Sequence, residues 1–290
     1  MKQYTLGLYE KSMPKELPWK EKLLAAKKAG YDFVEISIDE TEEKIHRIHM
    51  SKEERLELLQ CMYEVELPIR TMCVSALTKY SLGNEDSKIC ERGMEIVKGA
   101  IKLAEDLGVR IVMIPGYDVY YEKSTPATQR RFCENLKKVA MMAAAAGVLV
   151  ELETMENNFM NTVWKAMYYV KQIDSLYLGV YPDSGNLKNA AVSLGNDEVQ
   201  DILSGKGYIS SLHLKETVPG IFREIPYGKG HVDFKKIIRA AWSIGVRKYV
   251  TEFWYNGNRQ WQGELNAARA MMGKLLDDES EEQVLEERVG

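Results

Sequence analysis

The amino-acid sequence predicts an α/β protein that forms a single (β/α)8 barrel. Short runs rich in β-branched and aromatic residues alternate with longer amphipathic stretches almost to the C-terminus. One sequence pattern recurs, in which a helix end is followed by glycine, one or two further residues and then a strand: AGYDFVEI, LGVRIVMI, AGVLVELE and IGVRKYVTE. This pattern is typical of the αβ turns of a parallel sheet, where glycine supplies the left-handed C-cap. Eight such βα units account for the 290 residues.

Each predicted element follows from its local pattern. The strand candidates are TLGLYE from Thr5, FVEISID from Phe33, IRTMCVSA from Ile69, RIVMIPG from Arg110, LVELETM from Leu149, LYLGVYPD from Leu176, YISSLHLK from Tyr208 and KYVTEFWY from Lys248. The helical patterns are WKEKLLAAKKAG, SKEERLELLQCMYEV, SKICERGMEIVKGAIKLAEDLG, TPATQRRFCENLKKVAMMAAAAG, NTVWKAMYYVKQI, DEVQDILSG, VDFKKIIRAAWSIG and WQGELNAARAMMGKLL. Ser51, Ser87 and Thr125 are predicted helix starts, and Gly30, Gly108, Gly147 and Gly245 are predicted helix ends.

A doubly wound open sheet accounts for the same alternation. We prefer the barrel because no glycine-rich phosphate loop follows the first strand and because no block of residues is left for a second domain. After Leu276 the sequence DDESEEQVLEERVG is acidic and lacks a sustained apolar stripe. We therefore expect a catalytic barrel over residues 1–276 and a frayed tail or short surface helix over residues 277–290.

The composition narrows the partners and the compartment. A hydrophobic share of 45% and a charged share of 28% are ordinary globular values, and a net charge of -4 lacks the basic excess that nucleic acids attract. No stretch approaches the roughly 20 apolar residues of a membrane span, and the start MKQYTLGLYEKSMP lacks a signal-peptide run. We expect a cytoplasmic protein with no nucleic-acid or membrane partner. Four residues are expected to be small buried hydrophobes, since they fall outside any C-x-x-C spacing: Cys61, Cys73, Cys90 and Cys133.

Ionisable residues late in the strands indicate the functional site, because the active sites of such barrels lie at the C-terminal ends of the strands. They occur in four successive strands, as Glu153 in VELET, Asp183 in VYPD, His213 in SLHLK and Glu252 in VTEFW. One such acid alone is more often a rim residue bonded to a neighbour. Four together form a mixed oxygen and nitrogen set for one divalent metal ion such as Mn, Zn, Co or Mg.

Other polar residues in or near the strands leave two interpretations open. Glu151 lies on the same face as Glu153, so it either supports the site or forms a paired charge within the barrel. Glu35 in the second strand has the same two interpretations, and the structural one is favoured. The remaining histidines are not needed for the metal: we expect His46 and His49 on the surface and His231 in a loop contact or beside a helix start.

At these residues the sequence resembles the xylose-isomerase-like barrel family of sugar-phosphate and keto-sugar 3-epimerases. The resembling phrases are LGLYEKSMP, YDFVEISIDET, MCVSA, LGNED, GYDVYYE, TQRRF, the MN of FMNTVWKA, YPDSGNL, HLKET, PGIFREIPYGKGHVDF and TEFW. They extend from the first predicted strand to the last. A resemblance of that length is far more specific than a short motif.

The resemblance implies a metal-dependent 3-epimerase that interconverts L-ribulose 5-phosphate and L-xylulose 5-phosphate, as in bacterial L-ascorbate utilisation. It implies that Glu153, Asp183, His213 and Glu252 hold one divalent ion and that the two glutamates transfer protons at C3 through a cis-enediolate. Epimerases that act on free sugars often place a histidine where this chain has Asn186. Asn186 is a substrate-binding candidate on this basis, and the departure agrees with the phosphorylated-sugar branch.

A sugar phosphate requires cationic groups near the strand ends, at the far end of the substrate from the chemistry. The candidates are Arg223, then Lys215, Lys229 and Lys11, with the backbone amides of PYGKG as a further anion contact. Arg223 is preferred because a guanidinium fork suits phosphate. For each lysine, a solvated charge at the barrel rim is at least as good an interpretation.

Three other functions remain open at this point. An aldose–ketose isomerase or an inosose-type dehydratase would use the same barrel and metal, with an enediolate one bond away. A DNA-repair endonuclease of the endonuclease IV type would need several histidine ligands and a basic face, which four histidines and a net charge of -4 disfavour. A non-catalytic sugar-binding barrel would lack one of the two glutamates. The aromatic segment WYNGNRQW in the last βα loop is expected to form a lid or the contact of a homodimer.

Overall fold

The computed structural model describes residues 2–289, with side chains through residue 282, and it contains the eight predicted strands. They lie at Thr5–Tyr9 (β1), Phe33–Ser37 (β2), Ile69–Cys73 (β3), Ile111–Pro115 (β4), Leu149–Glu153 (β5), Leu178–Tyr181 (β6), Ser211–Leu214 (β7) and Lys248–Thr251 (β8). Each observed strand ends before its predicted run does, and β4, β6 and β7 also begin later than predicted. The paired strands are parallel throughout.

The sheet closes on itself. β1 pairs with β2 on one side and with β8 on the other, and the strand order is β6-β5-β4-β3-β2-β1-β8-β7. Isolated bridges from Val180 to Ile209 and from Asp183 to His213 join β6 to β7. The pairing of the first strand with the last confirms the predicted barrel and excludes the doubly wound sheet. The prediction of eight βα units is therefore correct.

The helices surround the strands. They lie at Trp19–Ala29 (α1), Glu42–Ile45 (α2), Lys52–Val65 (α3), Ser87–Leu107 (α4), Pro126–Ala146 (α5), Val163–Ile173 (α6), Ser184–Leu194 (α7), Glu198–Ser204 (α8), Phe234–Ser243 (α9) and Trp261–Val289 (α10). The eight predicted helices are present. The sequence patterns missed α2, which is a single turn, and α7, whose SGNLKNAAVSL begins with residues typical of a loop.

The predicted helix ends are largely confirmed. Ser51 and Thr125 form capping boxes, and Gly30, Gly108 and Gly147 adopt the left-handed conformation at the C-caps. Two caps differ from the prediction by one residue. Asp86, not Ser87, is the N-cap of α4, because its carboxylate accepts a hydrogen bond from the backbone N–H of Lys88. Gly245 follows the C-cap of α9, which is Ile244.

α10 runs across the predicted domain boundary at residue 276. The hydroxyl of Tyr4 in the strand region donates to Asp277 at 2.7 Å, and Glu279 is buried. The acidic segment thus continues the last helix as far as Val289. The side chains of 283–290 lie outside the described residues, and the division at 276 stays a prediction.

Two hydrophobic layers support the barrel. A large cluster fills the space between strands and helices, with fully buried Leu6, Leu8 and Trp242 among its members. A small cluster that includes Phe33, Met113 and Val250 fills the barrel interior. Cys73 and Cys90 are buried as expected, whereas Cys61 and Cys133 are half-buried. Within residues 2–289, no helix has the length and apolar character needed to span a membrane.

Candidate active site

Four consecutive strands place the predicted site residues together. Glu153 ends β5, His213 lies within β7, and Glu252 directly follows β8. Asp183 lies two residues beyond β6, where its carboxylate caps α7 by accepting from the backbone N–H of Asn186 at 2.7 Å. One ligand atom from each of Glu153, Asp183, His213 and Glu252 lies within 4.8 Å of the other three. We call these four residues the acidic cluster.

The imidazole of His213 lies at the centre of the acidic cluster. Its Nδ1 is 3.3 Å from Glu153 Oε1, 3.3 Å from Glu252 Oε2 and 3.9 Å from Asp183 Oδ2. All four residues are buried. The arrangement is that of three oxygen donors and one nitrogen donor facing a common point, as the sequence predicts.

The acidic cluster carries more negative charge than its neighbours satisfy. Burial raises the pKa of Asp183 to about 8, with Lys215 opposing this and Glu252 adding to it. Burial also raises the pKa of Glu153. The pKa of Glu252 is lowered, because the effect of burial is outweighed by the charges of Lys215 and His213.

Two carboxylate oxygens of the acidic cluster lack a hydrogen-bond donor within the described part of the chain, which bears on whether a metal ion fits there. Asp183 Oδ2 and Glu252 Oε2 are buried and accept no hydrogen bond from the described residues. Buried carboxylate oxygens without a donor are costly, and a cation relieves that cost. A set of three carboxylates and one imidazole is also a suitable donor set for a divalent ion. The residues present therefore fit a metal ion.

Lys215 adds a buried cation at the edge of the acidic cluster. Its Nζ lies 3.1 Å from Asp183 Oδ1 and 3.6 Å from Glu252 Oε2, and it donates to Asn186 Oδ1 at 3.0 Å. Asn186 in turn donates from Nδ2 to the backbone oxygen of Thr154 at 2.8 Å. Lys215 and Asn186 thus form a polar pair beside the acidic cluster. Lys215 is not a solvated charge at the barrel rim, because it lies next to the carboxylates of that cluster.

Glu35 and Glu151, for which the sequence leaves the same two interpretations open, have different partners in the structure. Glu35 Oε1 lies 2.7 Å from His213 Nε2, on the side of the imidazole that faces away from the carboxylates. Glu151 makes no contact of this kind: its Oε1 accepts from the backbone N–H of Ser210 at 3.2 Å, and burial raises its pKa to about 8. Sequence reasoning missed the role of Glu35, because strand alternation places both residues inside the barrel without saying which neighbour each meets.

A cavity of about 270 Å³ opens above the acidic cluster. Its inner end is lined by Glu153, Glu252, Asn186 and Lys215, and its outer walls include Lys11 and Arg223. The guanidinium carbon of Arg223 lies 5.7 Å from the centre of the Trp254 ring, which also lines the cavity. The cavity thus joins five of the seven predicted site residues, and the other two, Asp183 and His213, lie beneath it in the acidic cluster.

Sequence reasoning missed two side-chain pairs at the cavity: Lys11, Asp39 and Glu156 line it, and Tyr117 lies behind Glu156. Lys11 forms a 2.8 Å ion pair with Asp39, and the hydroxyl of Tyr117 donates to Glu156. The negative charge of Glu156 raises the pKa of Arg223, although burial alone would lower it. The residues of these pairs are visible in the sequence, in GYDVYYE and in the acids after strands two and five. The sequence pattern does not show, however, that loops from different strands meet.

The remaining histidines lie away from the acidic cluster. His46 and His49 are exposed, as predicted. His231 belongs to the loop after β7, where its Nε2 lies 3.1 Å from Thr217 Oγ1, which confirms the predicted loop contact. A single histidine at the site disfavours a centre that needs several histidine ligands.

Comparisons with known proteins agree with this geometry. A model of the family described as xylose isomerase-like TIM barrel matches residues 23–273. L-ribulose-5-phosphate 3-epimerase UlaE of Escherichia coli (strain SMS-3-5) is 38% identical over 254 residues, which cover 87% of this chain and 88% of that protein. The protein of the same name in Shigella flexneri has the same identity and coverage.

Solved structures share the fold at low sequence identity. The structure of an L-ribulose 3-epimerase superposes with a TM-score of 0.79 at 20% identity, covering 97% of each chain. D-psicose 3-epimerase of Clostridium cellulolyticum H10, solved with D-tagatose, superposes with a TM-score of 0.78 at 19% identity, covering 94% of this chain and 99% of the other. Both likenesses extend over nearly the whole barrel.

Proposed function

The chain belongs to the xylose isomerase-like TIM barrel family and is an epimerase, and we propose that it interconverts L-ribulose 5-phosphate and L-xylulose 5-phosphate by inverting C3. The observation that carries the proposal is the acidic cluster, in which two proton-accepting glutamates share a buried centre with Asp183 and His213. The similarity to L-ribulose-5-phosphate 3-epimerase over 87% of the chain supports this substrate. The likeness to ketose 3-epimerases supports the reaction type.

The proposed cofactor is one divalent metal ion, Zn, Mn, Co or Mg, held by Glu153, Asp183, His213 and Glu252. When bound, such an ion supplies Lewis acidity that makes the C3–H bond of a 2-ketose more acidic. The two buried oxygens without a hydrogen-bond donor, on Asp183 and Glu252, support this assignment.

Glu153 and Glu252 are the proposed proton-transfer groups. Glu153 ends β5 and Glu252 follows β8; these strands are not neighbours in the barrel, so the two carboxylates approach the centre from different sides. One carboxylate removes the C3 proton as general base, and the other returns a proton to the opposite face of the planar cis-enediolate. The roles exchange for the reverse reaction, and the titration belongs to the coupled set instead of to either residue.

Lys215 and Asn186 are proposed to bind the substrate next to the reacting carbon. Both line the inner end of the cavity, and the Lys215 ammonium donates to Asn186 Oδ1. A cation at this position stabilises the negative charge that develops on the enediolate oxygens. In this proposal Lys215 acts at the reacting carbon, and the phosphate requires a different cation.

Arg223 is the proposed phosphate contact at the outer end of the cavity. It is exposed, lines the cavity and lies over the Trp254 ring, where a phosphate can approach it from solvent. Replacing Arg223 with Ala should raise KM for the phosphorylated ketose more than for the free ketose. Lys11→Ala is the comparison at a second cation that lines the cavity, which Asp39 already pairs. Equal effects of R223A on both substrates would contradict the assignment.

Incubation of the metal-loaded protein with L-xylulose 5-phosphate in deuterated water tests the reaction. We expect L-ribulose 5-phosphate as product, with deuterium at C3. Label at C1 or C2 would instead identify an aldose–ketose isomerase, and faster turnover of a free ketose would identify another keto-sugar 3-epimerase.

The cytoplasmic location, the role in bacterial L-ascorbate utilisation, the homodimer, and the absence of nucleic-acid and membrane partners belong to the same proposal. The catalytic barrel over residues 1–276 does so as well. Size-exclusion chromatography with light scattering tests the dimer.

A further inference from the structure

Glu35 is a buried acid that the proposed chemistry does not use. It lies in the middle of β2, where its backbone pairs with Tyr9 of β1 and Thr71 of β3. Its side chain is fully buried, and the Oε1 atom lies 2.7 Å from Nε2 of His213. The position is therefore held by two neighbouring strands and shielded from water, so that no solvent molecule competes for the imidazole nitrogen.

The two nitrogens of His213 face different partners. Nδ1 points toward the carboxylates of Glu153, Asp183 and Glu252, whereas Nε2 meets only Glu35 among the hydrogen-bond partners that are described. A carboxylate oxygen at Nε2 accepts a hydrogen bond from the Nε2–H group, so that the proton of a neutral imidazole stays on Nε2 and the lone pair lies on Nδ1. The contact thus selects the tautomer whose lone pair faces the acidic cluster.

Glu35 is itself fixed by a second contact. The hydroxyl of Tyr181 donates to Glu35 Oε2 at 3.1 Å. The Tyr181 ring packs edge-on against His213, with ring centres 4.7 Å apart and planes at 65°. One tyrosine therefore holds both the carboxylate and the imidazole, which restricts rotation of the histidine ring.

We infer that Glu35 is a positioning residue that fixes the tautomer and ring orientation of His213, so that Nδ1 is presented to the metal ion. The inference rests on the proposed metal site and adds to it a determinant of metal affinity outside the four ligands. Carboxylates that bond the second nitrogen of a metal-binding histidine typically contribute about 10–100-fold to metal affinity.

Glu151 provides a matched control. It is also a buried carboxylate of the barrel interior, two residues before Glu153, and its oxygen bonds the backbone of Ser210 instead of His213. Glu35→Gln and Glu151→Gln are therefore the same chemical change at two buried positions, and only the first alters the environment of His213.

The test is a titration of the metal-free protein with Co²⁺, followed by the visible absorption of the bound ion. Glu35→Leu removes the acceptor and should weaken Co²⁺ binding about 10–100-fold and change the absorption band. Glu35→Gln keeps a neutral acceptor and should restore part of the affinity. Tyr181→Phe should weaken binding less than Glu35→Leu, and Glu151→Gln should bind Co²⁺ as the unmodified protein does.

Wild-type affinity and an unchanged band in Glu35→Leu would overturn the inference. If that variant does not fold, the comparison of the two glutamine variants decides, and equal Co²⁺ affinities of Glu35→Gln and Glu151→Gln would overturn it. A purely structural role would lower thermal stability without altering the spectrum. Failure of the unmodified protein to bind Co²⁺ would instead refute the proposed metal site, which separates the two outcomes.

Discussion

Two buried charge clusters lie at the C-terminal ends of the strands, and their compositions are opposite. In the first, which we call the Glu10 cluster, one carboxylate directly after β1 is surrounded by the cations of Lys22, Lys44 and Arg47 and by the backbone N–H of Ser37. In the acidic cluster, three carboxylates share one imidazole and the ammonium of Lys215. The first has an excess of cations and the second an excess of anions.

The clusters also differ in how completely their oxygens are bonded. Glu10 Oε1 accepts from Lys22 at 2.8 Å and from Arg47 Nη2 at 2.8 Å, and Oε2 accepts from Ser37 N at 2.9 Å. Opposing cations therefore hold the pKa of Glu10 well below its usual range, although burial alone would raise it. The acidic cluster keeps two buried oxygens without donors. The carboxylate of the Glu10 cluster is thus fully bonded, whereas the acidic cluster has carboxylate oxygens that can accept a cation.

The largest expected effect is on turnover, from changes within the acidic cluster. Glu153→Gln or Glu252→Gln removes one proton-transfer group and should lower kcat by about 10²–10⁴-fold or more, because general acid–base catalysis contributes that much. Epimerisation of L-xylulose 5-phosphate measures it, and circular dichroism checks the fold. Glu151→Gln, the buried control, should keep turnover close to that of the unmodified protein. Substantial residual epimerisation in both cluster variants would refute the two-carboxylate mechanism.

The next effect is on stability, from the Glu10 cluster. Glu10→Gln leaves the buried Lys22 and Lys44 and the half-buried Arg47 without their carboxylate and should lower the free energy of unfolding by about 3–5 kcal/mol. Urea denaturation measures it. Glu16→Gln, in the same loop but exposed, is the control and should change stability little. A loss at Glu10 no larger than at Glu16 would show that the Glu10 cluster does not stabilise the fold.

A smaller effect on turnover distinguishes the lysine of the acidic cluster from a solvated one. Lys215→Met should lower kcat by about 10²-fold with a smaller change in KM, because a preorganised donor to a developing oxyanion contributes about that much. Lys229→Met changes an exposed lysine of the same loop that is a phosphate candidate from the sequence but does not line the cavity, so both constants should stay unchanged. A change confined to KM would assign Lys215 to ground-state binding of the substrate.

Features that depend on neighbouring residues could be predicted from the sequence, and features that depend on distant contacts could not. Strands, helices and the four members of the acidic cluster follow from local patterns, because hydrophobic periodicity and strand-end polarity depend on neighbouring residues. The convergence of the four members is predictable as well, since parallel strands end on one face. Their role as metal ligands stays a prediction.

The missed side-chain contacts join distant segments. Glu35 and His213 are 178 residues apart, and Lys44 reaches Glu10 from a helix of one turn that the pattern did not show. α7 was missed for a local reason, because it begins with residues typical of a loop. Side-chain partners across the barrel require the closed structure, because strand alternation gives the face of a residue and not its neighbour.

The smallest expected effect is a difference in the sign of the pH dependence between two buried acids. The pKa of Glu10 is lowered in the fold, so its stabilisation is present above the ordinary glutamate pKa and is lost as pH falls through the lowered value. The pKa of Glu151 is raised to about 8 by burial, so stability falls as pH rises from the ordinary value toward 8. Urea denaturation between pH 4.5 and 8 should therefore show a shallower decline in Glu151→Gln than in the unmodified protein. Below pH 4.5, Glu10→Gln should lose less stability on acidification than the unmodified protein does. An unchanged pH slope in Glu151→Gln would mean that this acid is ionised in the fold and that a cation or water satisfies its second oxygen.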